Sequence, residues 1–214
     1  MSKNWEEFLA PYKQAVNELK VKLKGIREQF EKADDHTPVE FVTGRVKPIP
    51  SILDKAKRKQ IAMNRLQEEM HDIAGVRVMC QFVEDINKVI HHLRGRKDFD
   101  IVEERDYVTN QKESGYRSYH VVVQYPVQTI MGEQMLLVEI QIRTLAMNFR
   151  ATIEHSLNYK YNKNIPEEVQ KRLQRAAIAA SKLDDEMSEI RVEIKEAQKV
   201  FMQKKENEKK KAEN

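Results

Sequence analysis

Residues 118–144 read SYHVVVQYPVQTIMGEQMLLVEIQIRT, two β-rich runs on either side of a Met-Gly pair. Two such runs joined by a short glycine-containing turn are typical of a β-hairpin. The second run alternates apolar and polar residues, in the order Val138, Glu139, Ile140, Gln141, Ile142 and Arg143. Because successive side chains of a strand point to opposite faces, we expect one face of the hairpin to enter the core and the other to carry polar chemistry.

The segments before the hairpin predict further strands with helices between them. Three β-rich stretches precede it: VEFVTGRVKP (39–48), DIAGVRVMCQF (72–82) and FDIVEERDYV (99–108). Helices are predicted from about Pro50 and Ser51 onward, over residues 83–96 and, after the hairpin, over residues 145–161. Helices alternating with strands, followed by a hairpin, indicate an α+β fold.

Both ends of the chain have helical periodicity. Apolar residues recur at steps of three and four near the N-terminus: Trp5, Phe8, Leu9, Tyr12, Val16, Leu19, Leu23, Ile26 and Phe30. After Pro166 the apolar or small residues from Val169 to Phe201 repeat every 3.5 residues or so, which predicts a coiled-coil-like seam. We therefore divide the chain into an N-terminal helical extension (1–39), a central domain (40–162), a C-terminal oligomerisation helix (163–203) and a charged flexible tail (204–214).

Composition excludes several classes of protein. The net charge is only +4, so nucleic acid is not indicated by charge alone. No apolar run approaches the roughly 18 residues of a membrane span, and MSKNWEEFLA lacks the pattern of a secretory signal, so we expect a soluble cytoplasmic protein. Cys80 is the single cysteine, which excludes an intramolecular disulfide and a thiolate zinc site. The six glycines form neither a P-loop nor a Rossmann fingerprint.

The segment GRVKPIPSILDKAKRK (44–59) concentrates positive charge. Arg45 and Lys47 share one face of a predicted strand. Ser51, Lys55 and Arg58 fall on one face of the next helix, with Ser51 at its N-terminus. Cations and a helix N-terminus at one place suit a polyphosphate. A solvated Lys/Arg face is the plainer interpretation of this segment taken alone.

Two carboxylates stand next to or within predicted strands. Asp72 comes just before the strand that contains Arg77, where it suits Mg²⁺ or serves as a helix cap or turn residue. Glu139 lies on an otherwise apolar strand and therefore needs a metal, a cation or a proton as partner. Arg143 on the same face is the simplest candidate for that partner.

The segment KESGYRSYH (112–120) has the composition of a nucleotide contact. Gly115 permits a tight turn, and Tyr116 offers a flat ring on which a base can stack. Lys112, Arg117 and His120 can reach phosphate or ribose oxygens. Tyrosines beside a turn are more often packing residues. Taken together, however, these segments supply cations, two carboxylates and a stacking ring, a set that suits phosphoryl chemistry.

Four motifs in order carry a family resemblance: GRVKPIPSILDK (44–55), DIAGVRVM (72–79), ESGYRSYH (113–120) and VEIQIRT (138–144). They resemble the synthetase domain of the RelA/SpoT-type (p)ppGpp synthetases over roughly residues 40–160. The resemblance implies a nucleotidyltransferase-like mixed β-sheet flanked by helices. With only about 40 residues before it, the chain resembles the small, single-domain alarmone synthetases of that family.

The resemblance also implies a reaction and a site. The reaction is Mg²⁺-dependent transfer of the β,γ-pyrophosphate of ATP to the 3′-hydroxyl of GDP or GTP, releasing AMP. The implied ATP-binding residues are Arg45 and Arg77 around the adenine and Lys47, Ser51, Lys55 and Arg58 at the triphosphate. Tyr116 would stack on guanine, with Arg105, Lys112, His120 and Asn148 addressing the rest of the acceptor. Asp72 would bind Mg²⁺, and Glu139 would accept the 3′-hydroxyl proton and contact the metal. EERDY (103–107) mixes acidic and basic residues, which leaves the choice between GDP and GTP open.

Rival functions and further partners follow from the same residues. A catalytically silent RNA-binding module would use the basic and aromatic side chains, although no RNA-binding signature is present. A coiled-coil scaffold would explain only the C-terminal helix. Since an apolar seam on a lone helix would face water, we expect self-association, and small family members resemble this in forming homotetramers. A guanosine polyphosphate lodged between subunits near Lys24 and Arg27 is a further hypothesis for regulation.

Overall fold

The predicted hairpin occupies the middle of a five-stranded mixed sheet in the computed structural model, which describes residues 4–33, 36–110, 115–160 and 166–212. The strands are β1 (Phe41–Val46), β2 (Ala74–Cys80), β3 (Asp100–Asp106), β4 (Tyr119–Thr129) and β5 (Gly132–Thr144). Their order is β1-β2-β5-β4-β3, in which β2 and β5 run parallel and the other pairs are antiparallel. The predicted α+β fold is thereby confirmed.

The helices follow the predicted order, with small differences at their ends. They are α1 (Trp5–Lys32), α2 (Ile49–Lys59), a 3₁₀ turn (Met63–Arg65), α3 (Leu66–Glu69), α4 (Val83–Arg94), α5 (Leu145–Lys160) and α6 (Glu167–Ala212). The short helices between α2 and β2 were not predicted, because four or fewer residues carry no readable period. None of the described helices is both long and apolar enough to cross a membrane.

One face of the sheet packs into the hydrophobic core, as the alternation in the hairpin predicts. Val76, Ile140 and Ile142 are fully buried on this face, and α1 and α4 pack against it. Close packing of α1 on β1 requires Gly44, since a Cβ there would come within 2.6 Å of Val16 Cγ1. Cys80 on β2 is buried, and burial raises the pKa of its thiol. The apolar stripe of α1 is part of this same core. The division of the chain into four segments stays a prediction.

α6 packs on the rest of the chain through small and polar side chains, and its apolar seam points away. Ala177 and Asp184 are buried at the contact, whereas Leu183 and Ile194 on the seam are more than half exposed. Further along the helix, Arg191 Nη1 lies 3.0 Å from Oδ1 of the fully buried Asp85 on α4. The predicted seam is therefore available for contact with another molecule.

Candidate active site

The polar face of the sheet forms a cleft of about 200 Å³ where β1, β2 and β5 lie side by side. Its lining residues are Thr43, Gly44, Arg45, Lys47, Asp72, Gly75, Val76, Arg77, Glu139 and Gln141. Gly75 is paired with Arg45 on one side and with Glu139 on the other, and paired residues share a face. Strand order thus brings the basic segment, the Asp72 segment and the hairpin together in one place.

Asp72 sits between two lysines in the turn before β2. Its Oδ2 is 3.1 Å from Lys47 Nζ, and its Oδ1 is 2.7 Å from Lys55 Nζ. Burial raises the pKa of Asp72, but the two ammonium groups outweigh burial and the pKa is lowered. The carboxylate is therefore ionised and has positive charge on both oxygens.

The predicted ATP-binding residues divide into two groups. Arg45, Lys47 and Arg77 line the cleft, and the Lys55 side chain reaches it through Asp72. Ser51 and Arg58 are exposed on α2 and do not belong to the lining. Both lie on the same helix as Lys55, and their contact with a triphosphate stays a prediction.

Glu139 is buried and accepts two hydrogen bonds. His120 Nδ1 lies 3.0 Å from Oε1, and Gln141 Nε2 donates to Oε2 at 2.6 Å. Burial raises the pKa of Glu139, yet the hydrogen bond and charge of His120 and the bond from Gln141 outweigh it, so the pKa is lowered. Arg143 is not its partner, contrary to the simplest expectation, because Arg143 Nε donates to Ser118 Oγ at 3.0 Å instead.

Two of the predicted acceptor residues, Tyr116 and His120, contact each other. The Tyr116 hydroxyl lies 2.9 Å from His120 Nε2 and accepts a hydrogen bond from Arg143. The ring of Tyr107 meets both rings edge-on, at centroid distances of 6.1 Å to Tyr116 and 5.3 Å to His120. The hydroxyl of Tyr116 is thus held by hydrogen bonds, and its ring packs against the ring of Tyr107. Sequence reasoning did not assign Tyr107 or Arg143 to this group.

The other predicted acceptor residues are less closely joined to it. Arg105 on β3 pairs with His120 across the sheet and forms a bidentate ion pair with Glu103. Asn148 lies in the first turn of α5, and within the described part of the chain its buried Oδ1 has no hydrogen-bond partner. Lys112 lies outside the described residues.

Gln141 connects Arg77 on β2 with Glu139 on β5. The sequence predicted only that Gln141 lies on the polar face of its strand. Its Oε1 accepts a hydrogen bond from Arg77 Nε at 3.3 Å, while its amide holds Glu139. Burial lowers the pKa of Arg77, and the charges of Arg143 and Arg45 lower it further. Crowded guanidinium groups of this kind favour an anionic ligand.

The donor set is suited to Mg²⁺ in partnership with a substrate. Among the described residues no group of three or more His, Cys, Asp and Glu side chains could hold a metal alone. Asp72 and Glu139, however, are two ionised carboxylates that line one cleft. Mg²⁺ commonly takes one or two carboxylates and completes its shell with waters and phosphate oxygens. The site therefore fits a metal that arrives with a nucleotide.

The fold and the cleft define a class of nucleotide-binding enzymes that transfer phosphoryl groups, and comparison with known proteins narrows the class. Residues 44–164 match the family model described as "Region found in RelA / SpoT proteins". GTP pyrophosphokinase YjbM of Bacillus subtilis is 66% identical over 203 residues, which are 95% of this chain and 96% of that protein.

Solved structures agree with the family match. The small alarmone synthetase 1 of Bacillus subtilis bound to pppGpp superposes with a TM-score of 0.87 at 66% identity, covering 90% of this chain and 99% of that one. The same synthetase bound to AMPCPP gives a TM-score of 0.82 at 62% identity, covering 91% and 100%. The chain belongs to the RelA/SpoT family, as the four motifs predict.

Proposed function

We propose that the chain is a (p)ppGpp synthetase, which transfers the β,γ-pyrophosphate of ATP to the 3′-hydroxyl of GDP or GTP and releases AMP. The observation that carries the proposal is the position of Glu139, which lies between the cationic cleft and the Tyr116–His120 pair. A relative covered over nearly its whole length is a GTP pyrophosphokinase, and related structures hold pppGpp or AMPCPP. Cytoplasmic location stays a prediction.

The donor half of the mechanism is charge neutralisation. Lys47 and Lys55 are paired with Asp72. An entering triphosphate offers these ammonium groups more negative charge than one carboxylate does, so we expect both lysines to turn to the phosphates. Arg45 and Arg77 then hold the adenine end. Phosphoryl transfer depends mainly on such positioning and charge stabilisation.

The acceptor half of the mechanism places the 3′-hydroxyl of the guanine nucleotide next to Glu139, the general base. Tyr116 stacks on guanine, and Arg105, His120, Lys112 and Asn148 address the phosphates, the ribose and the pocket wall. Glu139, ionised because its pKa is lowered, accepts the proton of the 3′-hydroxyl as that oxygen attacks the β-phosphorus. Mg²⁺ held by Asp72 and Glu139 would supply further neutralisation of phosphate charge.

Product analysis tests the proposal directly. Purified protein with labelled ATP, GDP or GTP, and Mg²⁺ should produce AMP together with guanosine tetra- or pentaphosphate. The two acceptors in parallel reactions give the preference that the EERDY segment leaves open. If neither acceptor gave a product, the proposal would be wrong. The RNA-binding module would then be the remaining alternative, although no observation in the described residues favours it.

Tyr116→Ala should raise the KM for the acceptor far more than the KM for ATP. Base stacking on an aromatic ring contributes about 1 to 3 kcal/mol, and the truncation removes the ring. Steady-state kinetics with each substrate varied in turn check this expectation. Tyr116→Phe is the matched control, because it keeps the ring and removes only the hydroxyl bonded to His120 and Arg143. Equal effects of the alanine variant on both substrates would indicate a packing tyrosine.

Self-association through α6 is expected, with a homotetramer as the assembly. The exposed seam includes Leu183, Met187, Ile190 and Ile194. Light scattering at micromolar concentration should therefore return about four times the mass of one chain. Ile190→Glu with Ile194→Glu should reduce that mass, whereas glutamates at two exposed positions off the seam should not. A wild-type monomer would remove the idea.

Stimulation by a guanosine polyphosphate stays a hypothesis of the same kind. Lys24 is exposed on α1, and Arg27 donates hydrogen bonds to Glu31 and to the Glu40 carbonyl just before β1. A ligand between subunits would contact Lys24 directly and would have to compete for Arg27. Adding product to the synthesis reaction should accelerate it, and Lys24→Ala should reduce the acceleration. An unchanged rate would count against the hypothesis.

A further inference from the structure

The segment of residues 115–118, just before β4, has two sides that contact different parts of the chain. On the sheet side, the Tyr116 hydroxyl is bonded to His120 and Arg143, and Ser118 is fully buried against β5. Gly115 and Arg117, the two residues that flank Tyr116 in sequence, lie against α6 instead. The stacking ring is therefore held from the sheet, and its backbone is supported from the C-terminal helix.

The contact with α6 is close and specific. Arg117 Nη1 donates to Ser181 Oγ at 2.7 Å. Gly115 has φ +75°, and a Cβ added there would lie 3.1 Å from Ala177 Cβ. Only about 10 Å³ of cavity remains among these side chains. Any residue larger than alanine at position 177 would press on the backbone that leads into Tyr116.

A second bond joins α6 to the same region. Thr144 Oγ1 donates to the buried Asp184 Oδ2 at 2.9 Å and accepts from Met147 N at 3.1 Å in the first turn of α5. Asn148 follows Met147 in that turn. One face of α6 therefore contacts two of the chain segments that carry predicted acceptor residues, the segment before β4 and the first turn of α5.

We propose that α6 is a positioning element of the acceptor site, and that Ser181 and Ala177 set the affinity for the guanine nucleotide by fixing the backbone on either side of Tyr116. The inference rests on the proposed synthetase function and extends it. The helix that carries the exposed apolar seam would then contribute to acceptor binding as well as to the proposed assembly. Neither residue lines the ATP cleft.

The test uses full-length protein and four variants. Ser181→Ala removes the bond to Arg117, Ser181→Thr retains a hydroxyl, and Ala177→Leu crowds Gly115. Ser188→Ala is the matched control, since Ser188 is two turns further along α6 and bonds Glu84 on α4 at 3.2 Å. Each variant is measured for kcat, for KM of GDP, GTP and ATP, for Tm and for mass by light scattering.

Ser181→Ala should raise the acceptor KM about 3- to 10-fold, less than the full contribution of a hydrogen bond to a charged group because this bond acts on the nucleotide only through the backbone next to Tyr116, while the ATP KM changes less than about twofold. Ser181→Thr should stay within about twofold of wild type, Ala177→Leu should match or exceed the alanine effect, and Ser188→Ala should change neither KM. The inference would be wrong, and the proposed function unaffected, if the acceptor KM were unchanged in both Ser181→Ala and Ala177→Leu. The same holds if the KM values of acceptor and ATP changed equally. A wild-type chain without synthesis would overturn the proposed function and the inference with it.

Discussion

Glu139→Gln is expected to lower kcat by about 10² to 10⁴ while Tm, oligomeric mass and binding of ATP analogues stay close to wild type. The magnitude is the usual contribution of a positioned general base. Glutamine keeps the shape of the side chain and one hydrogen-bond acceptor. It removes the negative charge and the capacity to take a proton. Turnover, Tm and affinity for AMPCPP measured on one preparation separate a chemical effect from a folding effect.

A control for this variant exists on the same sheet. Glu104 on β3 is bonded by Arg94 Nη2 at 2.7 Å and by the Tyr119 hydroxyl, and its pKa is also lowered. Glu104 pairs with Val121, so it lies on the face opposite the cleft. Glu104→Gln should change stability slightly and leave kcat unchanged. Near wild-type kcat in Glu139→Gln would remove Glu139 from the mechanism.

The hairpin shows how much of the site could be predicted. Alternation in β5 separates Val138 and Ile140 from Glu139 and Gln141, and the structure places these pairs on opposite faces as expected. This prediction needs only local sequence, because the pleat has a period of two. The hydrogen-bond partner of Glu139, in contrast, cannot be predicted from the alternation within one strand. His120 reaches it because the turn of the hairpin sets the register between β4 and β5, which pairs His120 with Gln141.

Long-range pairing accounts for the rest of the site. Gln141 bonds Arg77 only because β2 inserts parallel to β5, between β5 and β1. No pattern within either segment specifies that neighbour. The same holds for α6, whose seam was readable from its period. The face of α6 that packs on the rest of the chain includes Ala177, Ser181 and Asp184, small or polar residues that no hydrophobic period marks.

Asp72→Asn should lower kcat by about 10² to 10³ and raise the Mg²⁺ concentration needed for half-maximal rate, because the variant loses a carboxylate that would hold the metal. Its effect on nucleotide binding without metal should go in the opposite direction. Removing the negative charge frees Lys47 and Lys55 from their partner, so AMPCPP should bind as tightly as to wild type or more tightly. A residue that only balanced the lysines would leave the Mg²⁺ dependence unchanged.

Stability gives Asp72→Asn an independent check and a matched control. The folded-state pKa of Asp72 is lowered, so its carboxylate stabilises the fold at pH values above its unfolded pKa of about 4. That stabilisation is lost as pH falls through the lowered pKa, and the difference in free energy of unfolding between wild type and Asp72→Asn should shrink over the same range.

Asp98 provides the control for Asp72. It pairs with Arg96 Nη2 and Lys22 Nζ at 2.8 Å each, which lowers its pKa to about 2, and it lies outside the cleft. Asp98→Asn should show the same pH trend in stability with kcat and Mg²⁺ dependence unchanged. If Asp72→Asn behaved like Asp98→Asn in every measurement, the carboxylate would be an ion-pair partner of the lysines and not a ligand of the metal.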